Sequence, residues 1–188
     1  NVTLNAHVDH EACPLNLAPT SSSTAELAIG DAIAVALIEA RGFTERDFAL
    51  SHPGGALGKR LLVHCEDLMH QNEELPKVLD NCSVKDALLE MSQKGLGMVC
   101  IVDNGNILKG IFTDGDLRRL LEKDIPLSVP ISEVMATNIK GLAKTSTLAA
   151  DALVIMQNKK INGIIVVDEQ NHPLGAFNLH DLMREGII

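Results

Sequence analysis

His52 stands in the stretch ALSHPGGALGKR, ahead of Pro53, Gly54 and Gly55 and a basic pair. Imidazole exchanges a proton near neutral pH, so such a loop could be where acid–base chemistry happens. The same residues also suit a plain turn with a linker behind it. Upstream, HVDHE places His7, His10 and Glu11 close together. A metal would need the two imidazoles on one face, which i, i+3 spacing gives only on a helix. This segment follows what reads as a strand, NVTLN, so no metal site is expected. His64, His70, His172 and His180 have no partners at ligand spacing. Thr20, Ser21 and Ser22 open a hydroxyl-rich run before an apolar helix. Free N–H groups and hydroxyls there favour a phosphate or sugar oxygens, or serve only as a cap. Further on, GIFTDGDL holds Thr113 and Asp116, and GAFNLHDL holds Asn178 and Asp181. A short hydroxyl at a helix start suits an anion and a carboxylate suits a vicinal diol, although both pairs could merely cap the helices they begin.

The elements that must position these groups are legible. PTSSSTAELAIGDAIAVALIEARG reads as a long helix with a hydroxyl start and a glycine stop at Gly42. TERDF reads as a short helix, with Thr44 and Asp47 near capping-box spacing, and a loop spans His52–Gly58. In that loop Pro53 disfavours helical backbone at His52, while Gly54 and Gly55 allow a tight turn and close approach to a ligand. From about Asp67 the sequence repeats. Asp86, Met91, Asp103, Gly110 and Asp116 recur as Asp151, Met156, Asp168, Gly175 and Asp181, each 65 residues on. The lead-ins agree too, EDLMH against SEVMA. Each copy reads as helix, buried strand, turn, second strand and closing helix. Two copies are too few for a solenoid, so a face-to-face pseudo-twofold pair is expected.

Composition narrows the partners. A net charge of −9 and 2% aromatic residues leave neither the basic footprint nor the stacking platforms that nucleic acids require. Small molecules and copies of the chain itself are the expected partners. Cys13, Cys65, Cys82 and Cys100 show no Cys-x-x-Cys spacing, as in a protein with reduced thiols, and a cytoplasmic location is expected. No secretory signal is evident, and the longest apolar run, Ala32–Ile38, is too short to span a membrane. No P-loop or dinucleotide fingerprint occurs. The sequence opens at Asn1 inside the expected strand with no Met, so a fragment lacking its N-terminal part is expected.

The repeat resembles a tandem pair of CBS domains, with the motif Gly-h-h-Thr-x-x-Asp standing as GIFTDGDL and, less faithfully, as GAFNLHDL. That resemblance implies a nucleotide-type ligand, with Thr113 facing phosphate and Asp116 and Asp181 accepting from ribose hydroxyls. Asn178, standing where the motif has Thr, makes the second cleft the weaker candidate. EACPLNLAPTSSSTAELAIGDAIAVAL followed by HPGGALGK resembles the C-terminal end of a sugar isomerase (SIS) domain. The order SIS, HPGG, CBS pair is similar to the D-arabinose 5-phosphate isomerase family, which interconverts D-arabinose 5-phosphate and D-ribulose 5-phosphate on the way to Kdo and lipopolysaccharide.

The resemblance implies an α/β chain: a remnant of a flavodoxin-like parallel-sheet SIS domain with the HPGG loop (residues 1–60), then CBS domains over 61–125 and 126–188. It implies Glu11 and His52 as catalytic residues moving a proton between C1 and C2 or opening the ring. Thr20, Ser21, Ser22, Gly54 and Gly55 would hold the sugar phosphate, with no cofactor or metal. A homo-oligomer, a tetramer in this family, is implied, as is a nucleotide or CMP-Kdo at the CBS pair. With the upstream segment missing, the 188-residue chain itself is expected to be inactive. A SIS enzyme acting on another phosphosugar, and a purely architectural CBS pair, are the alternatives.

Overall fold

A computed structural model describes residues 2–52 and 54–188; the expectations for Asn1, as part of a strand, and for Pro53, as the residue extending His52, lie outside the described residues. The chain divides into two compact units, Asn1–Ser51 and His52–Ile188.

In the first unit the long helix α1 runs Ser21–Arg41 and stops at Gly42, whose φ of 60° is left-handed. There the Gly42 and Phe43 N–H groups bond back to Glu39 and Ile38, closing the helix end as a C-terminal glycine should. A short helix α2, Glu45–Ser51, is opened by Thr44 and Asp47. The Asp47 carboxylate accepts from the Thr44 N–H and hydroxyl at 2.9 and 2.7 Å, and the Thr44 hydroxyl accepts from the Asp47 N–H. The expected strand at NVTLN does not form: residues 2–7 carry no regular structure. A strand needs a hydrogen-bonded neighbour, and no other described residue of this unit is in a strand. No residue of α1 is buried. Although its uninterrupted apolar run is short, α1 as a whole has 21 residues and a mean hydropathy of 1.3, long and apolar enough by length and composition to cross a membrane. Run length alone therefore does not dispose of that possibility.

The second unit begins earlier in helix than the sequence suggests. The expected His52–Gly58 loop is cut short by α3, Ala56–Leu62, followed by α4, Cys65–Leu68, and a two-residue strand β1, His70–Gln71. The first repeat then runs β2 (Lys77–Leu79), α5 (Val84–Lys94), β3 (Met98–Val102), β4 (Leu108–Thr113) and α6 (Asp114–Glu122). The second runs β5 (Leu142–Ala143), α7 (Ala149–Lys159), β6 (Gly163–Val167), β7 (Pro173–Asn178) and α8 (Leu179–Arg184). In each copy the first strand lies parallel to the second, across the crossover helix that parallel pairing requires, and the second pairs antiparallel with the third. Both hairpins shift register at the same place, Ile101/Val102 and Val166/Val167.

The lead-ins are exchanged. His70 of β1 pairs with Ala176 of β7, and Ala136, ahead of the second copy, bridges to Ile111 of β4. Each copy thus completes its sheet with the segment that precedes the other.

Side-chain alternation along the central strands explains why they read as continuous apolar runs. Val99, Ile101 and Phe112 point into the first copy's own core with Val84, Ala87 and Met91 of α5. Ile164, Val166 and Phe177 do the same in the second copy with Ala152 and Met156. The intervening residues Met98, Cys100 and Leu108 meet Ile165, Val167 and Ala176 in a third cluster that joins the copies face to face.

Candidate functional site

Glu11 closes the N-terminus of α1. Its Oε2 accepts from the Thr20 N–H at 2.7 Å, the Thr20 hydroxyl at 2.9 Å and the Ser22 N–H at 3.3 Å. The Thr20 hydroxyl accepts in turn from the Ala12 N–H, and Asn16 accepts from the Glu11 N–H, so the loop holding Glu11 is itself bonded down. Hydrogen bonds to the ionised form favour it. The Ser22 hydroxyl and then the Thr20 N–H are the chief groups holding the carboxyl, which falls from 4.5 to about 2. In this structure the donors of Thr20 and Ser22 are taken by the chain's own carboxylate; Ser21 is the first helical residue and half-buried. A carboxylate held so low is a weak proton acceptor at neutral pH.

His52 is exposed and begins the second unit. The glycines after it are not required by backbone conformation. Gly55 is extended at φ −84° and ψ 154° and caps α3. Among the described residues, a side chain there would meet the His52 carbonyl, at 3.6 Å, and one at Gly54 would meet nothing within 4 Å. Elsewhere in HVDHE, His7 lies 3.7 Å from Asp9, and among the described residues no group of three or more His, Cys, Asp or Glu could hold a metal.

Two equivalent junctions occupy the second unit. Thr113 ends β4 and caps α6: its N–H and hydroxyl donate to Asp116 Oδ2 at 2.9 and 2.6 Å, and its hydroxyl accepts from the Asp116 N–H at 3.4 Å. Asn178 ends β7 and caps α8 by the same reciprocal scheme, its Oδ1 accepting from the His180 and Asp181 N–H groups and its own N–H donating to Asp181 Oδ2 at 2.9 Å. The departure from Thr to Asn is thus absorbed without loss of the cap. Each carboxylate turns its other oxygen to an arginine one turn on, Arg119 at 2.6 Å and Arg184 at 2.9 Å. A helix N-terminus beside a guanidinium favours an anion, and the carboxylate between them can accept from hydroxyls.

Sequence reasoning missed both arginines, although their i, i+3 spacing from the aspartates was visible, and it missed His70. Far from lacking a partner, His70 places Nε2 3.0 Å from Asp181 Oδ1 and Nδ1 3.4 Å from Glu74. The one signal for it was the difference between EDLMH and SEVMA at that position.

The model of the CBS domain family matches residues 65–123 and 131–187. The chain belongs to the CBS domain family. The match falls on the two repeats and the helix α4 that leads into them. Over its whole length the chain is also 55% identical to the "Arabinose 5-phosphate isomerase KdsD" of Pseudomonas aeruginosa and 48% identical to that of Escherichia coli K12, and it spans 57% of the length of each. Among solved structures, the CBS domain pair of protein MJ0100, in complex with 5′-methylthioadenosine and S-adenosyl-L-methionine, superposes with a TM-score of 0.58. It is 22% identical and covers 65% of this chain and 94% of that one. This likeness establishes the CBS-pair fold.

Proposed function

We propose that this chain is the regulatory part, with a portion of the catalytic part, of an aldose–ketose isomerase. Its substrates are D-arabinose 5-phosphate and D-ribulose 5-phosphate, on the route to Kdo and lipopolysaccharide. The observation that carries the reading is the unbroken 55% identity to an arabinose 5-phosphate isomerase across both units. Residues 1–60 are then the end of a SIS domain, and 61–125 and 126–188 are the two CBS domains. The 188-residue chain alone does not turn over, because it spans just over half of such an enzyme.

Isomerisation moves a proton between C1 and C2 and needs a base poised over those carbons. Glu11 and His52 are the residues assigned to that work. In the bonds it makes here Glu11 is a poor base, and the Thr20 and Ser22 donors it occupies are those a substrate phosphate or sugar oxygen would use. Substrate binding at Thr20, Ser21 and Ser22 would displace Glu11 from the cap and return its basicity. Gly54 and Gly55, which carry no side chain, let the backbone after His52 approach the sugar closely. The test is isomerase activity of the enzyme completed to the length of its relatives. Glu11→Gln and His52→Ala each lower turnover by about 100-fold or more, the usual contribution of a general acid or base. Turnover within a few-fold of the parent in both variants removes the assignment.

The CBS pair is the sensing module. A ribose-bearing ligand, either a nucleotide or a nucleotide sugar such as CMP-Kdo, places its diol on Asp116 or Asp181 and its phosphate at the helix starts by Thr113 or Asn178. The adenosyl ligands named for the MJ0100 pair support that chemistry. The working enzyme is a homo-oligomer, a tetramer.

A further inference from the structure

The two clefts differ in two bonds: the Thr113 hydroxyl donates to Asp116 with no counterpart from the Asn178 side chain, and His70 meets Asp181 with no counterpart at Asp116. Around Asp116, Oδ2 accepts from the Thr113 N–H and hydroxyl, and Oδ1 accepts from Arg119, whose side chain is 63% exposed. Around Asp181, Oδ2 accepts from the Asn178 N–H, and Oδ1 accepts from Arg184 and is also met by His70 Nε2 at 3.0 Å. The Asp181 side chain is left 5% exposed, against 13% for Asp116. On its far side the imidazole Nδ1 lies 3.4 Å from Glu74 Oε2, and the residue is carried on β1, which is tied into the sheet through the pairing of His70 with Ala176.

Pseudo-symmetry says what stands at the matching place over the first cleft. Ala176 lies 65 residues beyond Ile111, and Ile111 bridges to Ala136, so Ala136 is to β4 what His70 is to β7. Alanine has no polar atom beyond its backbone. Nothing in the exchanged lead-in competes for Asp116, whereas the lead-in over the second cleft supplies an N–H donor to the carboxylate that a ribose diol would seek.

We infer that His70 is a built-in occupant of the second cleft, so that the CBS pair takes one ribose-bearing ligand per chain, at Asp116. The inference rests on the proposal that these clefts bind ribose-bearing ligands, and it adds which cleft is open and what closes the other. Asn178 caps α8 as Thr113 caps α6, so the helix start itself is the same in both clefts.

Calorimetric titration of the 188-residue chain with AMP and, separately, CMP tests it. The wild-type chain takes one equivalent. Asp116→Asn weakens binding about tenfold or more, the scale of losing a hydrogen bond to a charged group. His70→Ala installs the residue already present at the matching position and raises the stoichiometry to two. The reciprocal Ala136→His weakens binding at the first cleft about tenfold, which keeps the test alive if His70→Ala proves poorly folded by circular dichroism. Two equivalents in the wild-type chain, or one in a folded His70→Ala variant, would overturn the role of His70 while leaving the ligand reading intact. No heat with either nucleotide in both the wild-type chain and folded His70→Ala removes the ligand reading and this inference with it.

Discussion

Glu11 shows how a side chain read as chemistry can be spoken for by its own backbone. The first turn of α1 has no acidic residue of its own, and Glu11 reaches back from nine residues upstream to supply the negative charge that a helix N-terminus favours. Its folded pKa lies below the unfolded one, from 4.5 down to about 2 through the bonds to Ser22 and Thr20. Its contribution to stability is therefore fully present above about pH 4.5 and is lost as pH falls through about 2. Helicity of the chain followed by far-UV circular dichroism between pH 7 and pH 2 checks this. Wild type exceeds Glu11→Gln at neutral pH, and the gap closes over that acid window. A gap that persists unchanged to pH 2 would show that the carboxylate's charge does not hold the cap. None of this was readable from EACP, since nothing in the spacing of Glu11 and Thr20 says that an irregular loop folds one onto the other.

At the scale of elements, legibility followed periodicity and repetition. The duplication could be read because each residue type does the same work twice, and the glycines of the strand-to-helix motif are the clearest case. A Cβ on Gly175 would lie 2.5 Å from Sδ, 2.6 Å from Cγ and 2.8 Å from Cβ of Met69, and one on Gly110 would lie 2.6 Å from Met135 Sδ. In both copies the glycine is the seat of the methionine from the exchanged lead-in, which is why EDLMH and SEVMA share that Met. The exchange itself was hidden, because a two-residue strand such as β1 carries no periodic signal. NVTLN failed in the opposite way: its pattern is that of a strand, but a strand is a relation between segments and no partner strand is present among the described residues of its unit. Gly175→Ala is expected to destabilise the chain by about 1–3 kcal/mol, the range for overpacking a filled site. The crowding involves Met69 atoms close to the backbone that cannot swing aside. Urea unfolding measures it, and trimming Met69 to Ala in the same chain should recover part of the loss. An unchanged midpoint for Gly175→Ala would mean that the lead-in does not bear on the strand.

For the whole second unit the decisive fact is that neither copy owns all of its buried surface. Met98, Cys100 and Leu108 from one copy and Ile165, Val167 and Ala176 from the other form a single cluster, and Leu75, which precedes β2, belongs to it as well. Removing either copy would expose the inner face of the other's sheet and strip it of its lead-in strand, so the two should unfold together. Ile165, fully buried at the centre of that cluster, is the position at which to test this. Ile165→Ala should cost about 2–5 kcal/mol, the usual range for truncating a buried Ile, and should lower one common transition. With no Trp or Tyr in the chain, buried thiols can report on each region. Cys65 packs in the second copy's core and Cys100 between the copies, and burial pushes both thiols up to about 12, so each reacts only on opening. Their labelling in rising urea should follow a single curve that coincides with the loss of circular dichroism, in the wild-type chain and in Ile165→Ala alike. Exposure of Cys100 well before Cys65 would mean that the copies separate before they melt, and that the shared core is an interface between two independently stable halves.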